Sequence, residues 1–113
     1  MVVRKVNEVK LEKMDMSGAK NVELQWLVDK TVGAQTFAMR RFIIKPNGHT
    51  PLHSHPWEHE NYVLEGKGIV RIGDREFELT KDMVVFVPPD TLHQYKNTGE
   101  DDFILLCMIP LID

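Results

Sequence analysis

Short apolar runs, each cut off by turn residues within about ten positions, restrict this chain to a β fold. Val22, Leu24 and Trp26 alternate with Glu23 and Gln25, which is the period of a strand with one buried face. A second extended run covers Phe37 to Ile44 and is expected to end in a turn at Pro46-Asn47-Gly48. Further runs at Asn61 to Glu65, Ile69 to Ile72, Phe77 to Leu79, Met83 to Val87 and Phe103 to Ile109 follow. They are separated by Gly66-Lys67-Gly68, Gly73-Asp74, Pro88-Pro89-Asp90 and Thr98-Gly99-Glu100. No stretch carries a convincing helical period. About eight to ten short strands with turns every 8 to 12 residues specify an all-β sandwich or barrel, and a jelly-roll β-barrel leaves a cavity between its sheets. Residues 1–20 are less regular, and Val2, Val3, Val6, Val9 and Leu11 suggest an edge strand or an arm lying on a partner chain.

At 113 residues the chain can bury one core but not two, so residues 1–113 are read as a single domain. The apolar content of 42% and charged content of 27% are those of an ordinary globular protein, which excludes disorder and fibrous classes. A net charge of −3, with no basic cluster interleaved with aromatics, points away from nucleic acid as a partner. No apolar segment approaches the roughly 20 residues needed to span a bilayer, so no membrane partner is expected. The lone Cys107 has no internal disulfide partner, and the N-terminus lacks the apolar run of a signal peptide. Together these give a cytoplasmic expectation.

Three of the five histidines, His53, His55 and His59, fall within seven residues, and His93 lies far downstream. Imidazole is the commonest metal-binding side chain at neutral pH. On a strand, His53 and His55 would face the same side with backbones about 6.6 Å apart, close enough to share an ion. After a turn at Pro56-Trp57-Glu58, the next strand has two possible inward faces. One presents His59, Asn61 and Val63, and the other presents Glu60, Tyr62 and Leu64, so His59 and Glu60 are rival third ligands. His93 and Tyr95 share a face of their own short strand. His49, after Pro46-Asn47-Gly48, reads as an exposed bystander.

These residues resemble the cupin family. Its first motif is matched over residues 48–66 by Gly48, four intervening residues, His53-Ser54-His55, three residues, His59, six residues and Gly66. The second is matched over residues 82–97 by Pro88, His93 and Asn97, with Asp82 and Asp90 standing where the motif has glycine. Aspartate tolerates turn conformations better than most residues. The resemblance implies a double-stranded β-helix barrel and places His59 in the ligand register where most cupins carry Glu. His53, His55, His59 and His93 then form a four-histidine metal site.

The run His53-Ser54-His55-Pro56-Trp57-Glu58-His59-Glu60 is similar to small four-histidine cupins that bind manganese and can support dioxygenase-type alkene cleavage with a peroxide. Manganese is therefore the implied cofactor, with Fe, Ni, Cu or Zn as alternatives, because affinity at nitrogen sites does not by itself select Mn. The expected function is a metal-dependent oxidoreductase of dioxygenase type acting on a small organic substrate. A non-catalytic cupin holding a small ligand or a structural ion is the alternative. A sugar isomerase is the third reading, weakened by the lack of a basic group for a sugar phosphate in the motif region. Tyr95, Cys107 and Arg40 are the candidate catalytic pocket residues. Arg40 and Arg41 must point to opposite faces, so only one can reach inward. Leu105, Cys107 and Ile109 are expected to complete an apolar wall, Trp57 to cover the rim, and Asn61, Glu58 or Glu60 to orient the rings. The family resemblance also implies a homodimer.

Overall fold

The computed structural model describes residues 1–111. Nine strands form among them: β1 (Glu12–Lys13), β2 (Lys20–Val28), β3 (Phe37–His49), β4 (His59–Glu65), β5 (Lys67–Ile72), β6 (Arg75–Thr80), β7 (Val84–Val87), β8 (His93–Asn97) and β9 (Phe103–Pro110). All pairings are antiparallel, and the sheet runs β6-β5-β8-β3-β9-β4-β7, with β2 on β3 and β1 on β2. The first part of β3 pairs with β9, whereas its last residue, His49, pairs with Lys96 of β8. This one long strand therefore carries the sheet round a corner, and the two halves of the jelly-roll barrel face each other.

Apolar residues from both halves meet in a single core. Phe42 and Ile44 of β3, Val63 of β4, Val70 of β5, Leu79 of β6 and Phe103 and Leu105 of β9 are buried there. The alternation that marked β2 as a strand is only half obeyed, because Gln25 on its expected outer face is also buried. Its amide donates to the carbonyls of Val6 and Val9, each at 3.0 Å, and its oxygen accepts from Arg41 at 2.8 Å. The first residues thus lie across β2 because a buried amide needs their backbone acceptors.

Two expectations need correcting. Pro46-Asn47-Gly48 does not end its strand but lies inside β3. Lys20 pairs with His49 and Val22 with Ile44, so four residues of β3 oppose the single Asn21, and the irregularity is a bulge. Asn21 and Asn47 both take positive φ, at 52° and 67°. The turn chemistry was real, but pairing of the flanking residues, Ile44 and His49, converted it into a bend within a continuous strand. Second, His53-Ser54-His55 is not a strand. Only His53 bridges, to His93, and the stretch is otherwise irregular. In the second motif, the aspartates replacing glycine, Asp82 and Asp90, adopt φ of 70° and 59°, the left-handed conformations a glycine would have taken.

The bulge makes a stability prediction. A Cβ on Gly48 would sit 2.7 Å from the Lys20 carbonyl oxygen and 2.8 Å from those of Asn21 and Lys45. Backbone atoms cannot swing aside, so Gly48→Ala is expected to destabilise the fold by about 1–3 kcal/mol. The urea midpoint measures this, and an unmoved midpoint would show that the bulge relaxes freely.

Candidate metal centre

The second motif positions the first. His53 N donates to the His93 carbonyl at 3.1 Å, and His93 N donates to the His53 carbonyl at 2.9 Å. On either side, Thr50 N donates to the Tyr95 carbonyl and Asp90 N to the His55 carbonyl. The irregular 50–55 stretch is thereby laid along β8, and its histidines point at the ring of His93. Nitrogens of His53, His55 and His93 all lie within 4.8 Å of one another, a triad that could hold a metal ion. His59 projects from β4 against the same group, with its Nε2 3.0 Å from Nε2 of His93.

On β4, the inward face carries His59, Asn61 and Val63, all buried, while Glu60 is half-buried and lines a separate groove with Glu58 outside the cavity. Of the three side chains expected to orient the rings, only Asn61 does so. Its Oδ1 lies 2.8 Å from His59 Nδ1 and also accepts the Tyr95 hydroxyl. Its Nδ2 donates to the Leu106 carbonyl at 3.2 Å. That bond fixes which end of the amide is oxygen, and hence requires the proton of His59 to sit on Nδ1. The carbonyls of Trp57 and Thr91 impose the same tautomer on His55 and His93, at 2.9 and 2.8 Å from their Nδ1 atoms. Each of these three rings therefore presents a bare Nε2 lone pair.

His53, His59 and His93 are also held neutral. Burial first, then the neighbouring His93, lowers His59 from the usual 6.5 to about 3, and the same causes with His55 lower His53 to about 4. Burial lowers His93 as well. Neutral His59 and His93 thus aim unshared electron pairs at each other across 3.0 Å with no proton between them. A shared cation removes that repulsion, so the residues present fit a divalent ion with imidazole ligands.

Around the rings lies a cavity of about 150 Å³. Met14, Met16, Phe42, Pro51, Trp57 and Ile109 supply its apolar surface. Trp57 stacks on His55 at 4.5 Å and 9°. Thr50, Tyr95, Cys107 and Arg40 complete the lining. Burial pushes Tyr95 well above its usual value and Cys107 upward, so both remain protonated. Arg40 donates to Cys107 Sγ at 3.0 Å, whereas Arg41 points away and binds Gln25.

Leu105 is a correction, for it is fully buried in the main core and does not reach the cavity. Its place is taken by Phe42, two residues from Arg40 and so on the same strand face. That parity was readable once Arg40 was placed inward. Met14 and Met16 left no signal, because they belong to the arm folded over β2. His49 is half-buried and contacts Thr50 and Gln94 rather than the centre.

Residues 40–109 match the family described as "Cupin domain". The fold is similar to that of the polyketide cyclase RemF from Streptomyces resistomycificus, with a TM-score of 0.92 and 33% identity, covering 97% of this chain and 79% of that one. Auxin-binding protein 1 of Arabidopsis thaliana is 31% identical over 103 residues, which is 83% of this chain and 44% of that protein. The oxalate-binding protein of Thermotoga maritima is 31% identical over 118 residues, 99% of this chain and 95% of that protein. The chain spans about half the length of most of the curated relatives it matches. No helix among the described residues is long and apolar enough to cross a membrane.

The depressed histidines set a pH dependence. In the unfolded chain these rings take up protons near 6.5, whereas the folded rings of His53 and His59 resist until about 4 and 3. Between those values unfolding binds protons, so metal-free protein should lose stability as the pH falls below about 6.5, the loss levelling off below the folded values. Melting temperatures of chelator-treated protein from pH 7 to pH 4 test this, with a shallower slope expected for His59→Gln. Equal slopes in the two proteins would contradict it.

Proposed function

The chain belongs to the cupin family, and on that premise we propose that it is a metal-dependent oxidoreductase holding one divalent ion on His53, His55, His59 and His93. The observation that carries this reading is the pair of bare Nε2 atoms of His59 and His93 facing each other at 3.0 Å. Buried lone pairs so arranged are destabilised unless a cation lies between them. Manganese is the ion assigned, on the similarity of the His53 to Glu60 run to four-histidine manganese cupins. When bound, it would supply Lewis acidity and a redox-capable centre.

The protein's own residues perform the remaining tasks. Asn61 holds the His59 tautomer, and Tyr95 holds Asn61, so Tyr95 is a positioning residue whose phenol is already committed. Cys107, a neutral thiol accepting from Arg40, is poorly suited to nucleophilic attack, since the thiolate is the reactive form. The apolar walls exclude water and select a small organic substrate. Dioxygenase-type reaction on such a substrate is the activity we assign.

A second reading is favoured by the relatives named for binding, an auxin-binding and an oxalate-binding protein. In that reading the same cavity retains a small ligand without turnover.

Two measurements separate these readings. Manganese-loaded protein given a small alkene and a peroxide should yield the carbonyl cleavage product, and His59→Ala should reduce the rate by about a hundredfold or more. Undiminished turnover in that variant would sink the ligand assignment, and no product with any first-row divalent metal would favour the binding reading. Independently, Asn61→Leu should weaken metal affinity about 10- to 100-fold by freeing the His59 ring, read by competition with a chelating dye. An unchanged affinity would mean that the amide plays no part in holding the ion.

A further inference from the structure

The cavity contains an imbalance of charge. None of its described lining residues is acidic, and Arg40 is its one permanently charged side chain. Tyr95 and Cys107, the lining groups able to become anionic, are held protonated by burial. The guanidinium is also under-used. It stands over the rings of Phe42 at 4.7 Å and Trp26 at 5.3 Å, and Nη2 donates to Cys107 Sγ, a weak acceptor. Nε is buried with no acceptor, and no carboxylate of the described residues lies within ion-pair distance of Arg40. A partly buried guanidinium normally has an anionic partner, and each orphaned donor requires an explanation.

We propose that the cavity takes a small organic monocarboxylate, with its carboxylate paired to Arg40 and its apolar body against Met14, Phe42 and Ile109. The proposal deepens the metal reading and rests on it in one respect: a dipositive ion on neutral imidazoles adds positive charge that no side chain in the cavity offsets. A planar carboxylate matches the guanidinium fork. A phosphate monoester is a poorer match, because its three terminal oxygens need more hydrogen-bond donors than one guanidinium among apolar walls supplies. Size sets the same limit. A cavity of about 150 Å³ has room for a molecule the size of benzene, hence for an acid of about six non-hydrogen atoms.

Butyrate and its neutral near-isostere butyramide are suitable probes. Calorimetric titration of the metal-loaded protein should show butyrate binding about tenfold or more tightly than butyramide. Arg40→Met should erase the preference and Arg40→Lys keep part of it, with metal content unchanged in both. The Nε–H resonance of Arg40 in the wild-type protein should shift with butyrate and not with butyramide, which gives a readout independent of whether Arg40→Met folds. Equal affinities, a preference that survives in Arg40→Met, or an unmoved resonance would overturn the proposal. Failure of the metal reading is visible separately as no uptake of any first-row divalent ion. The same titrations on metal-free protein then decide the Arg40 subsite alone: Arg40-dependent butyrate binding supports it, and Arg40-independent or absent binding overturns it.

Discussion

The reciprocal pair of backbone hydrogen bonds between His53 and His93 is the constraint on which the rest of the centre depends. A stretch with little regular structure of its own is held in place by the edge of β8, so the ring positions of His53 and His55 are set by a strand some forty residues away. Flanking bonds from Thr50 and Asp90 keep that stretch from pivoting about the single bridge. The corner in β3 serves the same end, because only by reaching β8 at His49 does the chain start the histidine stretch beside its partner. Rigid placement of this kind holds ligands near productive geometry before any ion arrives.

Around those rings the structure fixes protons as firmly as atoms. Three carbonyl oxygens, from Asn61, Trp57 and Thr91, each accept an Nδ1–H and turn a bare Nε2 inward. Burial keeps His53, His59 and His93 neutral, and it keeps the neighbouring thiol and phenol protonated. The result is a centre rich in lone pairs and poor in negative charge. A Glu in place of His59 would have supplied one negative charge. With His there, Arg40 stands in the cavity without a counter-charge, and the character of the site follows from that substitution.

Much of the fold was legible because strand signals are local. The alternation at Val22 to Trp26, the Gly66-Lys67-Gly68 break and the Pro88-Pro89 stop each depend on a few adjacent residues and an intrinsic backbone preference. Where partners intervened, local reading failed. Pro46-Asn47-Gly48 has good turn chemistry, yet pairing of the flanking residues, Ile44 and His49, absorbed it as a bulge. Gln25 looks exposed from its alternation, but the first residues of the chain cover it. Leu105 and Cys107 share a strand face and both belong to the core, and only the depth of each along β9 decides that Cys107 also lines the cavity.

The all-β barrel, the clustering of histidines along the chain and the two motifs could be read from the order of residues, because side-chain periodicity, turn residues and ligand spacing are properties of neighbouring positions. It took the packed barrel to establish that His59 and His93 confront each other with bare nitrogens, that Asn61 rather than Glu58 or Glu60 orients a ring, and that Arg40 stands in the cavity without an acid. Those facts depend on register and depth between strands 34 to 67 residues apart, as in the His59–His93 and Arg40–Cys107 contacts. Such distances are set by the packing of the whole barrel, which no local pattern encodes.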